Sequence, residues 1–311
     1  MNPLLSTSTL RTALLSISLL LSACAATPPV PVIPEAPVVT PPPPVVVPPP
    51  KPKPVIALAL GGGAAKGFAH IGVIKALEAQ GIVPDIVIGT SAGSVVGSMY
   101  AAGKSGFELQ ELAIQLDESN LVDWTFFGAG FLKGDRLAEF INKAVGGKPI
   151  DKLPRTFGVV ATDLGSGQPI VFRSGDTGTA VRASSSVPGV FQPVGIRNRN
   201  YVDGGLVAPV PVRLARQMGA TFVIAVDISD KPANGKTTSI FENLMQTFTI
   251  MGHTINQFEL PLADLLIQPD ISKLGAIDFK NRHQAVLEGE KAAARKMAEL
   301  KAKLASFGEA H

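Results

Sequence analysis

Ser91 is the residue best placed to do covalent chemistry. It lies in Gly89-Thr-Ser-Ala-Gly93, after the apolar stretch Asp85-Ile-Val-Ile88 and before Ser94-Val-Val-Gly-Ser-Met-Tyr-Ala-Ala102. A GxSxG pattern between a strand and a helix is the setting of a nucleophile elbow, where small neighbours let strand and helix pass close while the hydroxyl projects outward. Such a serine attacks acyl carbons, and it needs a base and donors for the oxyanion that forms. Donors are available in Gly61-Gly-Gly-Ala-Ala-Lys-Gly67, which separates the apolar run Val55–Leu60 from the helical pattern Phe68–Ala79. Glycines before a helix N-terminus leave backbone N–H groups pointing at whatever sits above them. Two phosphate-binding look-alikes fail. Gly103-Lys-Ser105 would need a glycine at position 98, which is Ser98, and Lys66 precedes Gly67 instead of following it.

The base is harder to choose. The histidines are His70, His253, His283 and His311. A serine–acid–histidine order is met by Ser91, Asp227 and either His253 or His283, but these two histidines fall in helical patterns at 240–260 and at the start of 284–305. His70, on the first helix, reads as a packed or surface residue. Asp203, in Tyr201-Val-Asp-Gly-Gly205, follows a short strand and precedes two glycines, so a tight turn can aim its carboxylate. Asp163 and Asp227 each end an apolar strand and read as loop caps. No His/Cys/Asp cluster has the spacing of a metal site, and neither metal nor cofactor is expected.

Taken together, the glycine loop 61–67, the elbow 89–93, Ala183-Ser-Ser-Ser-Val-Pro-Gly-Val-Phe-Gln-Pro193 and Val202-Asp-Gly-Gly-Leu206 resemble the patatin-like phospholipase family, in its bacterial branch and in the family's order, across about half of the chain. The resemblance implies a Ser–Asp dyad, with Ser91 as nucleophile, Asp203 as base, and the amides of Gly62, Gly63 and Ala64 as oxyanion hole. It also implies a lipid or other acyl-ester substrate. Lys66 stands where most bacterial members have arginine, which leaves a point charge for an anion contact in place of a planar fork. Ala64 stands where many have glycine. A general esterase or acyltransferase on the same nucleophile, and a non-catalytic lipid-binding envelope protein, are the alternatives.

The elements that must hold these residues alternate. Helices are expected near 106–118 and 134–145, strands near 156–163 and 168–173, and a helix before Pro188. Strands near 194–203, a helix at 210–218, a strand at 221–227, a helix at 240–260, a strand at 264–268 and a last, solvated helix at 284–305 follow. Alternation predicts a three-layer α/β domain with a mostly parallel central sheet and helices on both faces, its site at the carboxyl ends of successive strands. Trp124–Phe131, with the only tryptophan and three phenylalanines, reads equally as a lid, an acyl-chain contact or packing under a loop.

Composition divides the 311 residues into three. Of the 26 prolines, 14 lie between Pro28 and Pro54. Arg11, Lys51, Lys53 and Glu35 are the only charged residues before position 55, so the 28 basic and 25 acidic residues of the chain fall to 25 and 24 in residues 55–311. That near-neutral domain has no long run of one charge, which argues against nucleic acid as a partner. Residues 1–23 read as a signal peptide, with an apolar run too short to span a bilayer. Leu21-Ser-Ala-Cys24 resembles a bacterial lipobox, with the sole cysteine as the lipidated residue. Residues 24–54 then form the lipidated cysteine and a proline-rich tether, whose stretch Pro28–Pro54 could reach roughly 80 Å as polyproline II at about 3.1 Å per residue, and residues 55–311 the acyl hydrolase domain. By the lipoprotein sorting rule, Ala25 implies an outer-membrane anchor facing the periplasm.

Overall fold

The computed structural model describes residues 53–115, 134–232, 239–275 and 279–307, all within the unit Pro50–His311. Residues 1–52, with Cys24 and nearly all of the proline tether, and Trp124–Phe131 lie outside the described residues. Five parallel strands form the body of the sheet in the order β8 (Leu265–Ile267), β7 (Phe222–Val226), β1 (Ile56–Leu60), β2 (Ile86–Thr90) and β3 (Thr156–Asp163). Three further strands, each paired antiparallel to its neighbour, complete it: β4 (Pro169–Phe172) and β6 (Arg199–Asp203) on β3, and β5 (Val194–Ile196) on β6. The sheet is mixed and mostly parallel, as the alternation of elements predicts.

Strand β1 shows how the layers are specified. Its Leu58 and Leu60 enter a core built with α1 (Phe68–Glu78), α2 (Ala92–Ala101), α3 (Gly106–Gln115), α4 (Asp135–Ala144), α5 (Thr177–Ser184) and α8 (Arg282–Ala305). Its Ala57 and Ala59 face the opposite side, where Val212, Leu214 and Ala215 of α6 (Val212–Gln217) and the segment Ala208–Val210 pack. Side chains alternate across a strand, so large residues on one face and small ones on the other set unequal spacing for the two helical layers. The remaining helix, α7 (Ile240–Glu259), is capped by Ser239, whose hydroxyl accepts the Glu242 N–H while Glu242 accepts the Ser239 N–H.

The last helix departs from expectation. α8 is no solvated outer helix: Ala285, Val286, Gly289, Ala292 and Ala293 are buried, and it lies against α1. A Cβ on Gly289 would sit 2.0 Å from the Ala69 carbonyl oxygen, and one on Gly72 would sit 1.9 Å from that of Val286. The small residues that suggested a solvated surface are what lets two helix backbones touch. No described helix is long and apolar enough to cross a membrane.

The register of β3 positions the site. Val159 and Val160 pair with β2 on one edge and β4 on the other, whereas Ala161 and Thr162 pair with β4 and β6. Since β4 keeps one edge throughout, β2 and β6 share the other edge and meet end to end. Thr90 is opposite Val160 and Asp203 opposite Ala161, so Ser91 leaves one strand where Asp203 ends the other.

Candidate active site

The elbow is strained and tightly walled. Ser91 has φ 52° and ψ −121°, a conformation that disfavours residues other than glycine. Its carbonyl accepts the N–H groups of Ser94 and Val95, starting α2, and its own N–H donates to Ser184 Oγ at 2.8 Å. A Cβ on Gly89 would lie 2.3 Å from the Gly93 carbonyl oxygen, and one on Gly93 only 2.1 Å from that of Leu60. The two glycines of GxSxG are therefore imposed by contacts between backbones.

Asp203 is held from several sides. Its N–H donates to the Ser186 carbonyl, its carbonyl accepts from Thr162 Oγ1, and its Oδ1 accepts the Gly205 N–H at 2.7 Å. The carboxyl is 6% exposed, and Oδ2 has no hydrogen-bond partner of good geometry among the described residues. Burial pushes its pKa up from 3.8 to about 6, opposed by the Gly205 N–H and by the Ser91 hydroxyl beside it. Ser91 is thus near enough to stabilise the carboxylate, although the contact falls short of a full hydrogen bond. Ser184 and Ser186, which fasten the backbones of Ser91 and Asp203, belong to the 183–193 block. Their roles had no separate signal in the sequence beyond that block.

The glycine loop passes directly over the elbow, and a Cβ on Gly62 would lie 3.3 Å from that of Ser91. Two sequence expectations for the loop need correction. The Gly62 N–H donates to the Pro209 carbonyl at 2.9 Å and is not free for an oxyanion, whereas the N–H groups of Gly63 and Ala64 have no acceptor among the described residues. Lys66 is 3% exposed and paired with Asp230, so its charge is spent inside the protein and it is not an anion contact for substrate. Ala64 adopts φ 50°, the left-handed conformation for which glycine is the usual choice.

The other candidates separate from Ser91. Asp227 accepts from Ser229 and Gln268. Asp163 accepts from Gly165 and Ser166 and pairs with Arg199, its pKa held below the ordinary carboxylate value chiefly by the Ser166 N–H. Both cap loops, as expected. His253 lies on α7 beside Gln257, in a cleft of about 520 Å³ that Ser91 does not line, and His283 is exposed on α8. His70 is fully buried, with Nε2 2.8 Å from the Gly61 carbonyl oxygen. No group of three or more His, Cys, Asp or Glu among the described residues could hold a metal.

Residues 58–216 match the family model for patatin-like phospholipase. An uncharacterized NTE family protein of Mycobacterium tuberculosis is 37% identical over 183 residues, covering 58% of this chain and 51% of that protein. Mouse patatin-like phospholipase domain-containing protein 6 is 30% identical over 227 residues, covering 70% of this chain and 16% of its own length. The chain spans about half the length of the mycobacterial relative it matches. Among solved structures, VipD from Legionella pneumophila superposes with a TM-score of 0.53 at 15% identity, over 80% of this chain and 67% of VipD, which is a likeness of fold.

Proposed function

Because this chain belongs to the patatin-like phospholipase family, we propose that it is a serine acyl-ester hydrolase in which Ser91 is the nucleophile and Asp203 the only base. The observation that carries the reading is the meeting of a strained serine with a buried carboxylate whose Oδ2 lacks a full hydrogen bond among the described residues. An ordinary aspartate is too weak a base for a serine hydroxyl, and burial brings this one nearer to working pH.

In this reading, ionised Asp203 takes the Ser91 proton as Oγ attacks the ester carbonyl. The oxyanion is received by the Gly63 and Ala64 amides, each donor contributing about 3–4 kcal/mol in comparable sites. Asp203 then returns the proton to the departing alkoxide and leaves an acyl-Ser91 ester. Water, deprotonated by the same carboxylate, attacks that ester and releases the fatty acid. A fatty-acyl ester of a phospholipid, a lysophospholipid or a related lipid is the substrate class that family membership favours.

The test is ester hydrolysis across an acyl-chain panel, with wild type, Ser91→Ala, Asp203→Asn and His253→Ala. Expected are losses of roughly 10³-fold or more in kcat for the first two variants, none for His253→Ala, and a wild-type kcat that rises with pH through about 6 as Asp203 ionises. Full activity in Asp203→Asn would refute the dyad. The same proposal anchors the protein in the outer membrane through acylated Cys24, on the support of Leu21-Ser-Ala-Cys24. Incorporation of labelled palmitate by a Cys24→Ser protein at the wild-type level would refute the anchor.

A further inference from the structure

The peptide joining Gly61 to Gly62 is held at both ends. Its carbonyl oxygen faces His70 Nε2 at 2.8 Å, and its N–H donates to Pro209 O at 2.9 Å. A carbonyl can only accept, so Nε2 carries the proton and donates. His70 Nδ1 is then a bare acceptor, buried and without a partner among the described residues. An unpaired buried nitrogen costs free energy, and leucine or methionine could fill the same space in α1 without that cost. The imidazole is therefore unexplained by packing alone.

Its use lies one peptide further along. Gly61, Gly62 and Gly63 are consecutive, and a triple-glycine backbone rotates its peptide planes at little steric cost. Rotation of the 61–62 plane would redirect the planes after it, which carry the Gly63 and Ala64 N–H groups, in a loop whose Gly62 lies against Ser91. The geometry points to His70 as a positioning residue: by donating to the Gly61 carbonyl it fixes the 61–62 peptide, and so keeps the two free amides aimed where an oxyanion would form above Ser91. This inference rests on the hydrolase reading for its catalytic consequence, but not for the clamp itself. Burial lowers the His70 pKa to about 4, against the Gly61 hydrogen bond and the Asp227 charge, so the ring is neutral near pH 7 and the donor tautomer is kept.

Two measurements on the full chain test it. His70→Gln places an amide donor near the position of Nε2, and His70→Leu offers similar bulk without one. Hydrogen exchange of the backbone around Gly61–Gly63 is expected to quicken at least tenfold in His70→Leu, with β2 and β7 unchanged, and to stay near wild type in His70→Gln. In ester hydrolysis, His70→Leu should lose at least tenfold in kcat at nearly constant KM, and His70→Gln should recover most of it. Unchanged exchange in His70→Leu, equal damage in both variants, or a loss confined to KM would overturn the proposal. If His70→Leu does not fold, His70→Asn, whose donor stops short of the Nε2 position, takes its place under the same criteria. Should the wild type hydrolyse no ester, the hydrolase reading falls while the exchange arm, which uses no substrate, still decides the clamp.

Discussion

Helices α1 and α7 occupy opposite extremes of packing. α1 has eleven residues, most of them buried, and touches α8 backbone to backbone. α7 has twenty, yet among its described residues those buried are Asn256 and Glu259, both polar, while Ile240 and Phe258 are 90% and 68% exposed. Polar contacts tie it down: Glu259 to Arg213, Asn256 to Ser229, and the Ser239 cap. Helix length is therefore a poor guide to how much a segment contributes here. The glycine loop and elbow belong to the tightly packed region, where errors of a tenth of a nanometre are not absorbed.

Parallel substitutions put this contrast at risk. Gly93→Ala forces a methyl to within 2.1 Å of a backbone oxygen, and the expected loss is about 3 kcal/mol or more, read by urea unfolding. A loss under about 1 kcal/mol would mean the inner region yields more than its contacts suggest. Asp203→Asn should move the other way. The folded carboxyl holds its proton up to about pH 6 whereas the unfolded one releases it near 3.8, so this group's contribution to stability declines as pH rises through that window. Asn at this position is expected to gain about 3 kcal/mol at pH 7 and to lose that advantage below pH 4, with activity abolished. Unfolding measured at both pH values checks it. On α7, a methyl at Gly252 would meet the Pro209 ring at ordinary contact distance, 3.4 Å from Cγ and 3.9 Å from Cβ, and Gly252→Ala should stabilise by about 0.5–1 kcal/mol through helix propensity. Phe258→Ser should shift stability by less than about 0.5 kcal/mol, since its ring is already in water. A larger penalty would reveal a partner surface over α7.

The fold was largely legible because β1, β2 and β7 are uniformly apolar and the helices between them are periodic. The elbow was legible for a steric reason that the backbone distances at Gly89 and Gly93 now supply. Other features depend on hydrogen bonds between segments distant in sequence, which no local pattern records. Ser184 and Pro209 reach Ser91 and Gly62 only after folding, and Lys66 meets Asp230 across 164 positions. Gly62 therefore looked equivalent to Gly63, and the charge of Lys66 looked available. α8 was misread because alanine, lysine and glutamate suit an exposed helix as well as one whose alanines pack on a neighbour.

The backbone contacts that Gly72 makes with Val286 and Gly289 with Ala69 also order events in time. The first helix of the domain finishes packing against the last, more than two hundred residues later in the chain. A ribosome releases residue 72 long before residue 289, so the strand–loop–helix unit bearing the glycine loop lacks its packing partner until nearly the whole polypeptide has been made. If Ser91 and Asp203 work as proposed, the site they form is completed only late in synthesis.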